Sequence, residues 1–188
     1  MTHAPGSPTN PRRTDTRILK ANLNDLLATL PQRGIVQWIG VRPERRAPMI
    51  EVDAVESRMG AGLVGDHFSG SASSKRHVTL LQWEHLEVIA RLLGRDRIDP
   101  ALLRRNIVVK GINLLALNGA RFSIGAALFE GTGPCHPCSR MEEALGAGGY
   151  NIMRGHGGIT ARVISSGVIR LQDETRLQAP GRLSKEEH

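Results

Sequence analysis

Apolar residues recur along the chain with two different periods, and each period predicts a different kind of element. Helical spacing before Pro31 predicts a first helix over residues 16–30. Its apolar positions are Ile18, Leu19, Leu23, Leu26, Leu27 and Leu30. The same spacing predicts a second helix that begins near Trp83 and ends at Gly94, with Leu86, Ile89 and Leu93 on the face of Trp83. We expect the leucine face of the first helix to pack against the rest of the protein.

Shorter apolar runs bounded by glycine, serine or proline predict strands. The runs are residues 35–41, 49–55, 78–81, 106–109, 126–129, 159–164 and 168–172. Asp99 followed by Pro100 is an N-cap signal, which predicts a short helix that ends near Arg105. Asn118-Gly119 is typical of a hairpin turn. Short strands interrupted by three or four helices favour a β-rich α+β fold around a β-barrel over βαβ repeats.

The same pattern divides the chain into four parts. Residues 1–13 are rich in Pro, Thr and Arg and predict a disordered N-terminal tail. Residues 14–33 contain the predicted N-terminal helix, and residues 34–176 form one compact domain. Residues 177–188 turn polar and predict a C-terminal tail.

Composition indicates a soluble cytoplasmic protein. Hydrophobic residues make up 40% of the 188 positions, whereas aromatics make up only 3%, so the core must be aliphatic. No apolar stretch is long enough to span a membrane, and residues 1–11 lack the apolar region of a secretory signal. Two closely spaced cysteines without a framework of pairs suit a reducing cytoplasm.

The charge of the chain suggests an anionic partner. The formal net charge is +7, which suits nucleic acid, a phosphorylated cofactor or an acidic protein. The basic positions that stand out are Arg12, Arg13, Arg45, Arg46, Arg104, Arg105, Arg154 and Arg162. They are spread widely, and one Tyr with three Phe cannot supply a base-stacking surface. We therefore predict no nucleic-acid partner and no membrane partner.

Both cysteines lie in one short segment, residues 131–143, with the sequence GTGPCHPCSRMEE. A predicted strand precedes this segment, and a helical pattern over residues 141–145 follows it. That order places a thiol on a turn at the start of a helix. Free N–H groups and the positive end of the helix dipole favour a thiolate there.

The Cys-x-x-Cys pattern admits four interpretations. Cys135 and Cys138 could be small buried residues, or a thioredoxin-like redox pair, although such a motif normally lies near the start of its domain. They could bind zinc together with His136 or His156, although a second Cys/His pair is missing. Alternatively, Cys138 alone is the functional thiolate, as a ligand to a soft transition metal or as a sulfur carrier.

An ordered set of segments resembles the MOSC family, named for the C-terminal domain of molybdenum cofactor sulfurase. The segments are GLVGDH at 62–67, KRHVTL at 75–80, RNI at 105–107, GPCHPCSRM at 133–141, GGITARV at 157–163 and GVIR at 167–170. The resemblance covers residues 34–175. Three positions depart from the family pattern: Lys75 and Arg105 replace acidic residues, and Cys135 stands where the family usually has Arg.

This resemblance implies a MOSC-type β-barrel with flanking helices, and it places the invariant family cysteine on Cys138. Family members are linked to molybdenum cofactor, as sulfur-transfer modules or as reductases of N-hydroxylated compounds. In those reductases the cysteine ligates molybdenum, so Cys138 is the candidate metal ligand. Cys135 could resolve a persulfide at Cys138 or be incidental.

Other polar residues around these motifs are candidates for the same site. Asp66 and His67 either form a capped turn or orient the cofactor and shuttle protons, and His67 is the candidate catalytic proton donor. Arg76 either lies on a solvated strand edge or clamps the pterin phosphate. Asn106 either caps the preceding helix or points its amide at a ligand.

Three further arginines are candidate cofactor-binding residues. Arg140 lies in the first turn after Cys138, where a cation implies an anionic neighbour, either Glu142 and Glu143 or the bound cofactor. Arg154 lies in a glycine-rich loop that is either a mobile connection or a lid with a phosphate nest. Arg162 follows in a predicted strand.

The resemblance and the residues together favour a molybdenum-dependent reductase of a small N-hydroxylated substrate. The sequence contains no flavin or iron–sulfur motif, so a separate electron-donor protein is required. One alternative is a sulfur carrier that receives a persulfide on Cys138 from a cysteine desulfurase. Another alternative is a non-enzymatic carrier of molybdopterin.

Overall fold

The computed structural model describes residues 22–68 and 70–178. The helices are α1 (Leu23–Ala28), α2 (Trp83–Leu92), α3 (Ser139–Leu145) and α4 (Gly149–Ile152), with 3-10 helices at Pro100–Leu103 and Leu114–Leu117. The strands are β1 (Gly34–Val41), β2 (Ile50–Glu51), β3 (Ala54–Arg58), β4 (Gly62–Leu63), β5 (Val78–Gln82), β6 (Ile107–Lys110), β7 (Arg121–Ile124), β8 (Ala127–Pro134), β9 (Ile159–Ser165), β10 (Gly167–Arg170) and β11 (Glu174–Leu177). None of the helices in these residues is long and apolar enough to cross a bilayer.

Seven of the strands form a closed barrel in the order β11-β7-β8-β9-β5-β6-β1. The barrel closes where β1 pairs with β11, with Gly34 opposite Thr175 and Ile35 opposite Glu174. Among the strand pairs of the described residues, only β5 and β6 are parallel. Their connection contains α2 and a 3-10 helix, since parallel neighbours need a crossover. A small separate sheet has the order β10-β3-β4. The predicted β-rich α+β fold with a β-barrel and flanking helices is confirmed.

The barrel interior follows from the alternation of side chains along the strands. On β8 and β9, every second residue is buried, and Phe129 and Val163 on opposite strands both face the core. Phe122 stacks on Phe129 with ring centroids 5.7 Å apart, so two of the few aromatics sit in the barrel. Most of the remaining interior is Val, Ile and Leu, as the composition predicts.

A second apolar cluster lies outside the barrel and holds the cysteine segment. Leu86 and Ile89 of α2 pack there with Val108 on the outer face of β6. Met141 and Leu145, both buried, attach α3 to the same cluster. The helix that follows Cys138 is therefore fixed against the barrel wall.

The first helix differs from the prediction. It spans only Leu23–Ala28 among the described residues, since the predicted part before residue 22 lies outside them. Leu23 and Leu27 are 69% and 67% exposed, and Leu26 is exposed as well. For these three leucines the prediction that the face packs against the protein is therefore wrong; among the described leucines of this segment, only Leu30 packs against the barrel core.

Three smaller predictions also need correction. The predicted strand over 49–55 is two short strands, β2 and β3, in different sheets. Asn118-Gly119 follows a 3-10 helix and leads into β7, and the hairpin turn lies instead at Gly125-Ala126, between β7 and β8. The last strand, β11, includes Leu177. The side-chain amide of Gln178 donates a hydrogen bond to the Ser123 hydroxyl, so contacts with the barrel extend two residues into the predicted C-terminal tail. The tail predictions for 1–13 and 179–188 lie outside the described residues.

Candidate functional site

Cys138 lies where the chain leaves the barrel and enters a helix. The strand β8 ends at Pro134, and α3 begins at Ser139 with Cys138 as its N-cap residue. The Cys138 side chain makes no capping hydrogen bond and is exposed, whereas Cys135 is only 2% exposed. Both cysteines are free. The predicted position of Cys138 at a helix start is confirmed, and its sulfur is open to an incoming ligand.

The surface beside Cys138 is a cavity of about 210 Å³, which we call the arginine cleft. Besides Cys138 it is lined by Arg42, Arg45, Arg46, His67, Arg76, Arg104, Arg105, Arg140 and Met141. Seven of these residues are arginines, and no carboxylate is among the described residues that line the cavity. A cavity with this lining attracts anions, because low-dielectric walls concentrate the field of its charges.

A second cavity of about 270 Å³ adjoins the arginine cleft and shares four of its lining residues. The shared residues are Arg42, His67, Arg76 and Arg104. This second cavity adds polar groups from the barrel, including Asp66, Ser74 and Thr79. The two cavities together are large enough for an extended ligand that reaches from the barrel end to Cys138.

Arg105 is the most deeply buried cation of the site. Its side chain is 3% exposed and donates to three backbone carbonyls: Gly157 at 2.7 Å, Leu103 at 2.9 Å and Cys135 at 3.3 Å. Burial lowers the pKa of Arg105, because water no longer solvates the charge. In the described part of the chain it makes no ion pair. Its charge therefore remains available to an anion in the cleft.

Like charges crowd the rest of the cleft. Burial lowers the pKa of Arg42, and the charges of Arg104, Arg140 and Arg76 lower it further, while Asp66 opposes them. Burial and then Arg140 lower the pKa of Arg104. An anion in the cleft would relieve this repulsion, so the electrostatics favour an occupied state.

Asp66 and Asn106 form a network that shapes the cleft. The Asp66 carboxylate accepts from the Arg42 backbone N–H at 2.8 Å and from the Asn106 side-chain amide at 3.2 Å. Asn106 also donates to the Gly40 carbonyl and accepts from Thr79. Asn106 has no free donor for a ligand, so in this structure it joins β1, β5 and β6.

His67 stands between Arg42 and the open cleft. The Nε of Arg42 donates to Nδ1 of His67 at 3.3 Å, and the guanidinium extends along the ring. The same guanidinium lies 3.3 Å from Nε2 of His67 as well, so Arg42 fixes the orientation of the ring. His67 and Cys138 line the same cavity, as a proton donor for chemistry at the sulfur must.

Arg76 contacts Cys135 and also lines the cavity beside Cys138. Its guanidinium donates to the sulfur of buried Cys135 at 3.4 Å while the rest of the side chain lines the cleft. The next residue, His77, is not on a solvated strand edge: it is buried, accepts from the Val163 N–H and contacts the Ser71 carbonyl. Cys135 therefore has a structural role beside Arg76.

The remaining candidates separate into two groups. Arg140 lines the arginine cleft in the first turn of α3. Arg154 is exposed and lines neither of the two cavities. Arg162 pairs with Glu130 across β8 and β9 at 2.6 Å. The structure gathers Asp66, His67, Arg76, Asn106, Cys138 and Arg140 around the two cavities and leaves Arg154 and Arg162 outside them.

Sequence reasoning missed Arg42 altogether and did not foresee that the widely spread arginines converge. Their loops follow β1, precede β5 and β6, and follow β8. Arg46 and Arg104 have positive φ angles of 74° and 57°, which is uncommon for residues other than glycine. The available signal in the sequence was that these arginines lie next to predicted strand ends. That signal does not show which loops come together in the fold.

The other interpretations of the Cys-x-x-Cys pattern fit the structure less well. A closed barrel is not a thioredoxin fold, and Cys135 is too buried to act as the exposed partner of a redox pair. Within residues 22–68 and 70–178, no three His, Cys, Asp or Glu side chains are grouped so that they could hold a metal ion. Of the two cysteines, Cys138 is the one with an exposed thiol.

Comparison with known proteins agrees with this architecture. The family model of the MOSC domain matches residues 65–176. The crystal structure of the YuaD protein from Bacillus subtilis is similar with a TM-score of 0.69 at 20% identity, covering 81% of this chain and 100% of that one. YiiM from Geobacillus stearothermophilus is similar with a TM-score of 0.64 at 18% identity, covering 77% of this chain and 75% of that one. YiiM from Escherichia coli is similar with a TM-score of 0.61 at 20% identity, covering 78% of this chain and 71% of that one. A search of curated proteins by sequence finds no match.

Proposed function

Because the chain belongs to the MOSC domain family, we propose that its arginine cleft binds molybdenum cofactor through Cys138 and that the loaded protein reduces N-hydroxylated compounds. The observation that carries the proposal is an exposed thiol, free of any capping bond, in a cavity lined by seven arginines. A thiolate ligand suits a soft metal, and guanidinium groups suit the phosphate of the pterin.

The donor set fits the cofactor at both ends. Cys138 would supply the metal ligand from this chain, and Arg42 and Arg76 would hold the anionic part. When bound, the cofactor supplies two-electron redox chemistry together with oxygen-atom exchange. The buried charge of Arg105 lies under the cysteine segment, where it favours an anionic ligand beside Cys138.

The chain's own residues would then bind and orient the substrate and give it a proton. The Arg42 contacts orient the ring of His67 beside the cleft, where its protonated form would give a proton to the departing oxygen of the substrate. Asp66 and Asn106 fix the loop that carries His67. Electrons would come from a separate redox protein.

Metal content tests the proposal directly. Protein from a molybdenum-supplied host should contain close to one molybdenum per chain, measured by mass spectrometry of the metal. Cys138→Ser should lose most of it, because an alcohol is a poor ligand for a soft metal. Cys135→Ser is the matched control, since it keeps an acceptor of similar size opposite Arg76 and should retain the metal. Loss of molybdenum in Cys135→Ser but not in Cys138→Ser would contradict the assignment of the ligand.

A turnover assay tests the second part of the proposal, the reduction of N-hydroxylated compounds. The loaded protein should reduce benzamidoxime to benzamidine with reduced viologen as electron donor, and His67→Gln should lower kcat by roughly a hundredfold, the usual contribution of a general acid. Molybdenum content of His67→Gln should stay unchanged. Equal kcat in the two proteins would remove His67 from the reaction.

A sulfur carrier is the second candidate, and the exposure of Cys138 supports it equally. Against it, Cys135 is buried and bonded to Arg76, so it is badly placed to release a persulfide from Cys138. A sulfur carrier should gain the mass of one sulfur atom on Cys138 after treatment with a cysteine desulfurase and cysteine. A carrier of molybdopterin should retain the pterin but show neither the mass gain nor turnover.

A further inference from the structure

A third cavity, of about 530 Å³, adjoins the arginine cleft on the side of α3. We call it the side cavity. It shares Arg46, Arg104 and Arg140 with the arginine cleft, so these three guanidinium groups lie at the boundary between the two spaces. None of the residues assigned to the cofactor above lines this cavity.

The side cavity has a mixed lining. Beyond the boundary arginines it is bordered by Pro48, Met49, Ala101, Leu102 and Ala144, which form an apolar wall. Its two carboxylates are Asp99 and Glu143. Asp99 is occupied as an N-cap, since its side chain accepts from the Ala101 N–H at 2.9 Å. The charge of Glu143 partly opposes the lowering of the Arg104 pKa by burial and Arg140. The apolar wall suits a hydrocarbon substituent rather than a second charge.

The boundary arginines are not used elsewhere in the fold. In the described residues, none of Arg46, Arg104 and Arg140 forms an ion pair with a carboxylate. Arg46 and Arg104 keep left-handed backbone conformations, which cost energy in residues other than glycine and cluster at functional sites. Three unpaired cations beside an apolar wall form a site for an anion that carries an apolar group.

We propose that the substrate of the Cys138 site carries an anionic group within a few atoms of its N–O bond and an apolar substituent that fills the side cavity. Since the reacting end must lie toward Cys138 and the arginines stand at the boundary, the anion lies between the N–O group and the hydrocarbon. An N-hydroxy-α-amino acid with an apolar side chain has this arrangement. The inference rests on the proposed function and names its substrate class.

The reaction on such a substrate balances simply. The N–O bond of R–NH–OH breaks, and two electrons with two protons give R–NH₂ and water. The electrons come from the redox partner of the proposed function, or from reduced viologen in an assay. The boundary arginines bind the carboxylate and do not take part in the electron transfer.

Binding of a matched pair of ligands tests the inference without relying on turnover. Calorimetry on protein from a molybdenum-supplied host would compare N-hydroxyleucine with N-hydroxyleucinamide, which differ only in the charge of one group. We expect the acid to bind about tenfold more tightly, since a hydrogen-bonded charge contributes about 1.5 kcal/mol or more. N-hydroxyglycine should bind more weakly than N-hydroxyleucine, because it leaves the apolar wall empty.

Adjacent arginines provide the matched control variants. Arg46 lines both spaces, whereas Arg45 lines only the arginine cleft. Arg46→Gln and Arg140→Gln should each reduce the preference for the acid over the amide to roughly threefold or less, the loss expected when one of three charged contacts is removed. Arg45→Gln should keep the ratio of the two affinities. Equal affinity for acid and amide in the wild type, or an unchanged ratio in both Arg46→Gln and Arg140→Gln, would overturn the inference.

Metal analysis of the same samples separates this inference from the proposed function. A preparation with molybdenum but no preference for the acid refutes the substrate class and leaves the cofactor assignment standing. A preparation with the preference but without molybdenum, after expression with the metal supplied, refutes the reductase and leaves the anion site standing.

Discussion

Arg105 brings a full positive charge into the protein and distributes it over three backbone carbonyls. In the sequence this residue stands near the end of a predicted short helix, among basic positions that are spread widely. The structure buries it under the cysteine segment. At the scale of single residues, the same side chain therefore supports both the fold and the charge of the cleft.

Replacing Arg105 by Met should reduce stability strongly. The three carbonyls would lose their donor without access to water, and each unsatisfied acceptor costs about 1–3 kcal/mol. We expect the free energy of unfolding in urea to fall by about 3 kcal/mol or more, the cost of three such acceptors at the lower end of that range. Arg45→Met is the control, because Arg45 is exposed and should change stability by less than about 0.5 kcal/mol. Equal effects of the two substitutions would show that the three carbonyl bonds contribute little.

At the scale of elements, the loop before β9 positions the cysteine segment. The N–H of Cys135 donates to the Gly158 carbonyl at 2.8 Å, and Arg105 donates to the Gly157 carbonyl next to it. A Cβ at Gly157 would collide with the Cys135 carbonyl and lie 3.3 Å from the Arg105 guanidinium. The resemblance to MOSC proteins included these glycines, and their close approach to Cys135 gives a physical reason for them.

Gly157→Ala should therefore displace the cysteine segment. We expect Cys135, which is protected in the native protein, to react with iodoacetamide under native conditions, measured by peptide mass spectrometry. Gly155→Ala is the control, because Gly155 has a φ of 80° but open space around its Cβ position. That substitution adds backbone strain alone and should leave Cys135 protected. A protected Cys135 in both variants would mean that the segment tolerates the collision.

The helix α2 meets the same loop through a pair of histidines. His85 and His156 lie edge to face, with ring centroids 5.0 Å apart. Burial, and then the neighbouring His156, lower the pKa of His85, while Glu84 opposes the shift. The folded protein therefore binds fewer protons at His85 than the unfolded chain does near the ordinary value of about 6.5.

This difference predicts a loss of stability in mild acid. The contribution of His85 should be fully present above about pH 6.5 and decline as the pH falls through that value toward the lowered pKa of the folded state. His85→Gln should flatten the dependence of the unfolding free energy on pH between about 7 and 5. His136→Gln, at an exposed position, is the control. A steeper dependence in His85→Gln than in the wild type would reverse the assigned sign.

At the scale of the whole molecule, closure of the barrel depends on a short contact between distant parts of the chain. Besides the paired residues of β1 and β11, the Val36 N–H donates to the Asp173 carbonyl at 3.0 Å and the Gln172 N–H to the Val36 carbonyl at 2.9 Å. The strand β11 also pairs with β7. Without β11, both neighbouring strands would have free edges and the interior would open to water.

Removing residues 173–188 should consequently abolish the single cooperative unfolding transition. We expect a broad transition by near-ultraviolet circular dichroism and binding of a hydrophobic dye, as in states that keep secondary structure without fixed packing. A chain that ends at Gln178 retains β11 and is the control. A sharp transition in the shorter chain would show that closure is dispensable.

The pattern of apolar residues and capping residues predicted those elements that depend on interactions between residues close in the sequence. The alternation in β1 and β9, the apolar face of α2 and the cap at Asp99 were visible as periods and end signals. The strand β11 was not among the predicted strands, because Glu174–Leu177 contains no apolar run and is a strand only between two barrel neighbours. The leucines of α1 show the converse, since their helical spacing did not guarantee a surface to cover them.

The sequence by itself determined the order of strands and helices, the aliphatic core and the place of Cys138 at the start of a helix, because these depend on neighbours within a few residues. Only the tertiary structure decided that arginines from position 42 to position 140 meet around that sulfur and that Cys135 is buried beside Arg76. The physical reason is that barrel closure brings the loops together through pairings between distant strands. The sequence around one arginine does not show which other charged residues will lie near it in the folded protein.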